Sequence, residues 1–334
     1  MKKIPFELQT EVFTPKDIAK VLSLAVNEKN FTGNNKGEKF LNVPVSFDIE
    51  TTSFYRDADG ETYSYERYMK LGGKQTKMEK CSLMYVWQFG INGFCIIGRT
   101  WDEFLQMLNE IVDILKLCQK KRVIIYVHNL AYEFQFFREL LDWEKVFSID
   151  LRNPIYGITK TGLEFRCSYI LTNKPLYRLA EDVENTGLKK LIGELNYKTI
   201  RTPETPLSKS ELEYCFNDVR LLAAYIEKQI QIEGRITEIP LTATGYVRRF
   251  CRENMTKQEM GFVRNLTLES DEYIALHQAF AGGYTHSNPH NTRFMCEDVS
   301  SFDFTSSYPY VMLSETFPMS KGKKIDVSIE HLPS

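Results

Sequence analysis

Hydrophobic positions along the chain follow two periods. After Thr14-Pro15, Ile18, Val21, Leu22 and Ala25 recur at three- and four-residue steps. This predicts a short helix with threonine as its cap and proline in its first turn. Phe31 to Gly37 reads as a loop. Val45 to Thr52 then alternates, with Val45, Phe47 and Ile49 on one face and Ser46, Asp48 and Glu50 on the other, as in a half-buried strand. Leu83 to Phe89 and Phe94 to Ile97 are apolar runs joined through Asn92-Gly93, a hairpin signature. Thr100 and Glu103 form a capping box ahead of a helix marked by Phe104, Leu105, Leu108, Ile111, Val112 and Leu115. Arg122 to His128 is a β-branched run, so a buried strand, and the helix after it is predicted to reach about Leu141. This order predicts a mixed sheet with helices packed on it.

Further along, residues 154–171 predict a second hairpin turning at Thr161-Gly162. Leu176 to Val183 and Gly187 to Gly193 read as short helices. Ser208 and Glu211 form another capping box, before a helix to about Glu233 whose core stripe includes Leu212, Cys215, Val219, Leu222 and Ile226. Two helices, roughly 243–255 and 270–280, precede Phe280-Ala281-Gly282-Gly283-Tyr284. Val299 to Tyr310 predicts a strand ending in an acid, a tight turn, and a helix to about Glu315.

Composition bounds what this chain can be. Its 334 residues suffice for two domains, and 43% hydrophobic with 26% charged residues describes a globular protein. With 42 basic and 44 acidic residues it lacks a general basic surface, so nucleic acid would be met through local patches. One candidate is 53–80, where Tyr55, Tyr63, Tyr65 and Tyr68 interleave with Lys70, Lys74, Lys77 and Lys80. It reads either as a grip for a nucleic-acid strand or as a solvated hairpin. The seven cysteines are scattered and never spaced as Cys-x-x-Cys. That argues against a disulfide framework or zinc site and for a reducing, cytoplasmic setting. The chain starts with no signal-peptide pattern, and no run is long enough to span a membrane. His286 and His290 are four apart, but Pro289 breaks the helix that would pair them on a metal.

The chemistry starts at Asp48 and Glu50, which share a strand face. Two carboxylates that close repel unless a cation neutralises them, and hard divalent ions take such oxygen ligands. Alone, the pair describes a solvated strand face. Glu133 stands at a strand-to-helix corner, where open α/β sheets place ligands. Tyr214 and Asp218 lie one turn apart on one helical face.

Together these residues resemble the proofreading exonuclease of family B DNA polymerases, whose fold is ribonuclease-H-like. The first motif is Phe47-Asp48-Ile49-Glu50-Thr51, the second Asn129-x-x-Tyr132-Glu133, the third Tyr214-x-x-x-Asp218. Phe280-Ala281-Gly282-Gly283 resembles the aromatic-x-Gly-Gly motif between exonuclease and polymerase domains. Asp303 to Pro309 resembles the first palm motif. The compact spacing is similar to the protein-primed polymerases of small phages and linear plasmids. The sequence departs from the family pattern at Glu133 (usually Asp), Ser307 (usually Leu) and Phe280 (usually Tyr).

The resemblance implies an N-terminal extension (1–42), a 3′–5′ exonuclease domain (43–235), a helical linker (236–290) and the start of a polymerase palm (291–334). It implies two divalent ions, magnesium or manganese. Asp48 would bridge them, Glu50 and Asp218 would complete one site, and Glu133 would hold the second ion. Tyr214 would orient the attacking water. Thr51, His128, Asn129, Tyr132, Ser168, Tyr169 and Tyr197 would line a single-strand channel, and Lys189, with Lys190 as its rival, would face the scissile phosphate. Phe280, Gly282 and Gly283 would contact DNA. Asp303 would bind a polymerase metal ion, and Tyr308 would stack under the incoming nucleotide. Implied partners are single-stranded and primer-template DNA, a terminal primer protein, and a second polypeptide that completes the polymerase; no membrane is implied. Later palm and fingers motifs are not found, so the chain alone is expected to degrade DNA rather than extend it. Two other functions stay open: a stand-alone exonuclease, and a catalytically silent module binding single strands or the primer protein.

Overall fold

The strand that carries Asp48 and Glu50 lies in the middle of an eleven-stranded mixed sheet. The computed structural model describes residues 6–75, 77–183, 199–280, 290, 293, 295–317 and 320–322. They fall into two compact units, Met1–Val247 and Arg248–Ser334.

In the first unit, β1 (Val12–Phe13) precedes α1 (Ile18–Ala25), and β2 (Phe31–Gly33) pairs antiparallel with β3 (Lys39–Leu41). The central strand β4 (Val45–Arg56) is followed by β5 (Thr62–Tyr63), α2 (Tyr65–Lys70), β6 (Glu79–Ile91), β7 (Phe94–Gly98) and α3 (Trp101–Leu115). Then come β8 (Lys121–Val127), α4 (Leu130–Phe137), β9 (Trp143–Ser148), β10 (Pro154–Thr159) and β11 (Leu163–Cys167). Helices α5 (Ser168–Thr172), α6 (Leu176–Asp182) and α7 (Lys209–Glu233) complete it. The main path of the sheet runs β1-β7-β6-β4-β8-β11-β10-β9. β4 is antiparallel to β6 and parallel to β8.

Alternation along β4 and β8 divides the core. Phe47, Ile49, Val123, Ile125 and Val127 pack with residues of α1, α3 and α4, including Phe104 and Phe137. Phe47 stacks on Phe104 with ring centroids 4.6 Å apart. Ile124 and Tyr126 point to the opposite face and pack with Leu221, Leu222 and Ile226 of α7. The turn at Asn92 and Gly93 has both residues at positive φ (45° and 88°), as a tight hairpin with the right twist requires. Both expected capping boxes form, at Thr100 and Ser208.

Several expectations need correction. Residues 12–41 do not stand apart from the exonuclease region: β1 pairs with β7, β3 pairs with β8, and Ile18, Val21, Leu22 and Ala25 are buried in the main core. The segment 31–37 holds a strand, β2, rather than loop alone. Helix α4 stops at Phe137, and the chain turns into β9, which pairs with β10. Trp143 of that strand lies against Gly157, where a side chain would collide with its ring. The predicted helix 187–193 lies outside the described residues.

The second unit contains most of α8 (Ala243–Asn254), α9 (Lys257–Asn265), α10 (Ser270–Ala279) and α11 (Ser307–Ser314). Helix α9 was not predicted. The strand expected at Val299 to Asp303 does not form, and no other strand lies among the described residues of that unit to satisfy its backbone groups.

Candidate nuclease site

Parallel pairing of β4 with β8 sets Ser46 beside Tyr126 and Phe47 beside Val127. The residues that follow, Asp48 on β4 and His128 after β8, therefore sit on one edge of the sheet. Asn129 makes the strand-to-helix corner, with φ 72° and ψ 52°, a left-handed conformation that asparagine tolerates better than most residues. It starts α4, whose buried face includes Leu130, Glu133, Phe134 and Phe137. Glu133 is thereby turned inward.

Two small residues seat α7 on the other side. Ser46 donates from Oγ to the Val219 carbonyl at 2.9 Å. Gly90, opposite Ser46 on β6, has no room for a side chain, because a Cβ would strike Ser46 Oγ and approach Val219. Val219 held this close brings its neighbour Asp218 over β4. Asp48, Glu50 and Asp218 then present carboxylate oxygens that all lie within 4.8 Å of one another. A β-bulge follows immediately: Glu50 pairs with Val86 but Thr51 with Met84, leaving Tyr85 as the extra residue on β6. Tyr85 and Val86 consequently both pack beside Tyr214 and Cys215. Such a bulge re-aims the side chains beside it.

These carboxylates line an open cavity of about 520 Å³ with Ile49, His128, Asn129, Glu133, Tyr169, Pro175, Leu176 and Tyr214. Of the expected site residues, Asp48, Glu50, Glu133, Tyr214, Asp218, His128, Asn129 and Tyr169 thus share one cavity. Ser168 stands beside it, with its Oγ 3.0 Å from His128 Nδ1. Thr51 Oγ1 and the Tyr132 hydroxyl are hydrogen-bonded at 2.5 Å, joining β4 to α4. Tyr132 and Tyr169 keep 43% and 44% of their surface exposed, enough to offer a ring face.

The site is strongly electronegative. Burial, then the charge of Asp48, holds the Glu133 carboxyl well above the usual carboxylate range, and Glu50 adds to the effect. Burial also raises the Cys215 thiol, with Glu50, Asp48 and Asp218 contributing. Glu133 Oε2 is buried with no hydrogen-bond partner among the described residues. An all-oxygen donor set with an unsatisfied buried carboxylate atom fits hard divalent cations.

One residue of the site escaped the sequence reading. Gln88 donates from Nε2 to Asp48 Oδ2 at 2.7 Å. Its signal was present: an amide one residue from the end of the apolar run from Leu83 to Phe89. Lys189, Lys190, Tyr197, Gly282 and Gly283 lie outside the described residues. Phe280, Asp303 and Tyr308 belong to the second unit and are exposed there.

A family model for DNA polymerase type B, organellar and viral, matches residues 167–332. The DNA polymerases of Bacillus phages M2 and Nf are each 24% identical to this chain, over 273 and 271 residues. Each match covers 73% of the chain and 43% of the relative, so the chain spans less than half the length of these phage relatives. Among solved structures, Phi29 DNA polymerase complexed with single-stranded DNA matches with a TM-score of 0.50 at 16% identity, covering 74% of this chain and 41% of that one. That likeness concerns the fold, which is the ribonuclease-H-like mixed sheet the motifs imply. Family match, phage relatives and motif order together make the chain similar to the type B DNA polymerases, over residues 167–332 by the family model and over 73% of its length by the phage relatives.

Proposed function

We propose that the unit Met1–Val247 is a 3′–5′ exonuclease for single-stranded DNA ends, and that it proofreads for a protein-primed type B polymerase in DNA replication. The observation that carries this reading is the convergence of Asp48, Glu50 and Asp218 within 4.8 Å, on a cavity they share with Glu133. Asp48, Glu50 and Asp218 would hold one magnesium or manganese ion, and Glu133 with Asp48 a second. Bound there, divalent ions supply a lowered water pKa and charge neutralisation at a phosphodiester.

The chain's own groups do the rest. Gln88 fixes one oxygen of Asp48 and so orients the other. Tyr214, one turn before Asp218, orients the attacking water. Tyr132, Tyr169 and His128 offer faces on which the terminal bases stack without sequence preference, as removal of any mispaired nucleotide requires. Thr51, Asn129 and Ser168 contribute polar contacts to the same strand. Lys189, or Lys190, would offset charge on the scissile phosphate, and Tyr197 would extend the channel.

For the second unit we propose contacts to primer-template DNA through Phe280, Gly282 and Gly283, and to metal and incoming nucleotide through Asp303 and Tyr308. Nucleotide addition would need further palm and fingers residues, from a second polypeptide or a longer chain, with a terminal protein supplying the primer. A single strand labelled at its 5′ end tests the nuclease reading: with magnesium or manganese it should shorten stepwise from the 3′ end. Shortening from the 5′ end, or internal cleavage, would overturn it.

A further inference from the structure

Residues 53–80 take no part in the chemistry above, yet those described among them, 53–75 and 77–80, form an arm built on paired strands. β4 and β6 continue together beyond the carboxylates, paired from Thr51 and Met84 out to Arg56 and Glu79. β5 joins them through Tyr55 and Tyr63. The chain reverses after α2 at Gly72 and Gly73, both at positive φ (104° and 56°). Tyr68 is buried and stacks flat on Tyr55, with centroids 3.7 Å and planes 3° apart. That stack pins α2 to the ribbon. At the tip, Asp57 accepts hydrogen bonds from the Tyr63 hydroxyl at 2.7 Å and from the amides of Asp59 and Glu61.

The outward groups of the arm are apolar, cationic and acidic, the acids being Asp59, Glu61, Glu66 and Glu79. Tyr65, Met69 and Leu71 are apolar and about half exposed. Arg67, Lys70, Lys74, Lys77 and Lys80 are exposed cations. From Arg67 to Lys80 there are five basic residues and one acid, Glu79, so the positive charge gathers in this half of the arm: a net of +4, against +1 over 53–80 and −2 over the chain. Cations beside an open aromatic face suit phosphates and bases together. The arm is also continuous with the site. Thr51, Ser53 and Tyr55 follow one strand face at two-residue steps, about 14 Å from first to last, and Thr51 is the residue bonded to Tyr132.

We propose that this arm is a second contact for single-stranded DNA, gripping the strand on the 5′ side of the terminus held in the cavity. The inference rests on the reading of that cavity as the receiver of a 3′ end. Tyr65 stacks on a base, and Lys70, Lys74 and Lys77 neutralise phosphates.

Fluorescence anisotropy with the full chain in EDTA, where nothing is hydrolysed, tests the arm separately from the chemistry. The probes are oligothymidylates of about 20 and about 4 nucleotides, the shorter at the lower end of single-strand site sizes. Combining Lys70→Glu, Lys74→Glu and Lys77→Glu should weaken the longer probe at least about tenfold. It should lower the salt slope by about 2, at about 0.7 per phosphate contact. Binding of the shorter probe and the melting temperature should not change, since all three positions are exposed. Tyr65→Ala should weaken the longer probe with no change in salt slope. Unchanged affinity and salt slope in the triple variant would overturn the proposal, as would equal losses for both probes. Arm-dependent binding by a wild-type chain that hydrolyses nothing in magnesium would count against the nuclease reading and leave the arm's contact with DNA intact.

Discussion

Gln88 and Asp48 face each other across the antiparallel pair of β4 and β6, and the Gln88 amide donates to Asp48 Oδ2 at 2.7 Å. A carboxylate held this way loses rotational freedom before any cation arrives. Gln88→Leu should therefore raise the magnesium concentration for half-maximal nuclease activity by about 10–100-fold, the usual cost of losing a group that orients a metal ligand. The melting temperature in EDTA should change little. A magnesium requirement equal to wild type would contradict the role.

Glu133 makes the metal-free site pH-dependent. Burial and the charge of Asp48 raise its folded-state pKa, so the folded chain holds that proton more tightly than the unfolded one. The stability linked to this group is fully present below the ordinary carboxylate pKa and is lost as pH rises through the raised value. In EDTA the melting temperature should fall across that window. Glu133→Gln should flatten the fall and lift the upper end, by about 2–4 °C for each kcal/mol of repulsion relieved. Magnesium should stabilise the wild type more than the variant. Parallel pH profiles for the two proteins would show that Glu133 does not titrate in this way.

Gly90 sets how near α7 approaches β4. Gly90→Ala should destabilise by about 1–3 kcal/mol through overpacking, and should raise the magnesium requirement as Asp218 is pushed outward. Adding Ser46→Ala removes the atom that a Cβ at position 90 would strike, and should recover part of the stability. A Gly90→Ala protein as stable as wild type would mean that the helix seat is not tight.

Much of this arrangement was legible in the sequence, and the reasons are local. Asp48 and Glu50 could be set on one strand face because the alternation of Val45, Phe47 and Ile49 leaves no other choice. Tyr214 and Asp218 could be aligned because a capping box and an apolar stripe fix the helix and its phase. The bulge at Glu50 and Thr51 could not be read, because it depends on which residue of β6 is left over when two strands pair. Gln88 was hidden for the same reason: its importance comes from the residue opposite it. The role of residues 12–41 was missed because a short amphipathic helix does not announce the surface it will cover. The strand misread at Val299 to Asp303 has the right alternation without a neighbour to pair with among the described residues.

The hydrogen bond between Thr51 and Tyr132 ties the middle of β4 to the helix that bears Glu133. Tyr132→Phe should weaken binding of a short single strand in EDTA a few-fold, consistent with about 0.5–1.5 kcal/mol for one hydrogen bond. Tyr132→Ala should cost more, since stacking adds about 1–3 kcal/mol per base. Thr51→Val on top of Tyr132→Phe should add less than Thr51→Val costs alone, because both changes remove the same Thr51–Tyr132 hydrogen bond. Fully additive losses would mean that the two residues act independently.

The central claim is that Asp48, Glu50 and Asp218, with Glu133, form one metal-dependent nuclease site. It is tested most directly by following a 5′-labelled single strand in magnesium with the wild-type chain and with Asp48→Ala combined with Glu50→Ala. The wild type should shorten the strand from its 3′ end. The double variant should lose about 10³-fold or more of that rate, in keeping with several kcal/mol of charge stabilisation at the phosphate, while still binding the strand in EDTA. A wild-type chain that binds the strand but leaves it intact in both magnesium and manganese, or a double variant that degrades it as fast as wild type, would contradict the account.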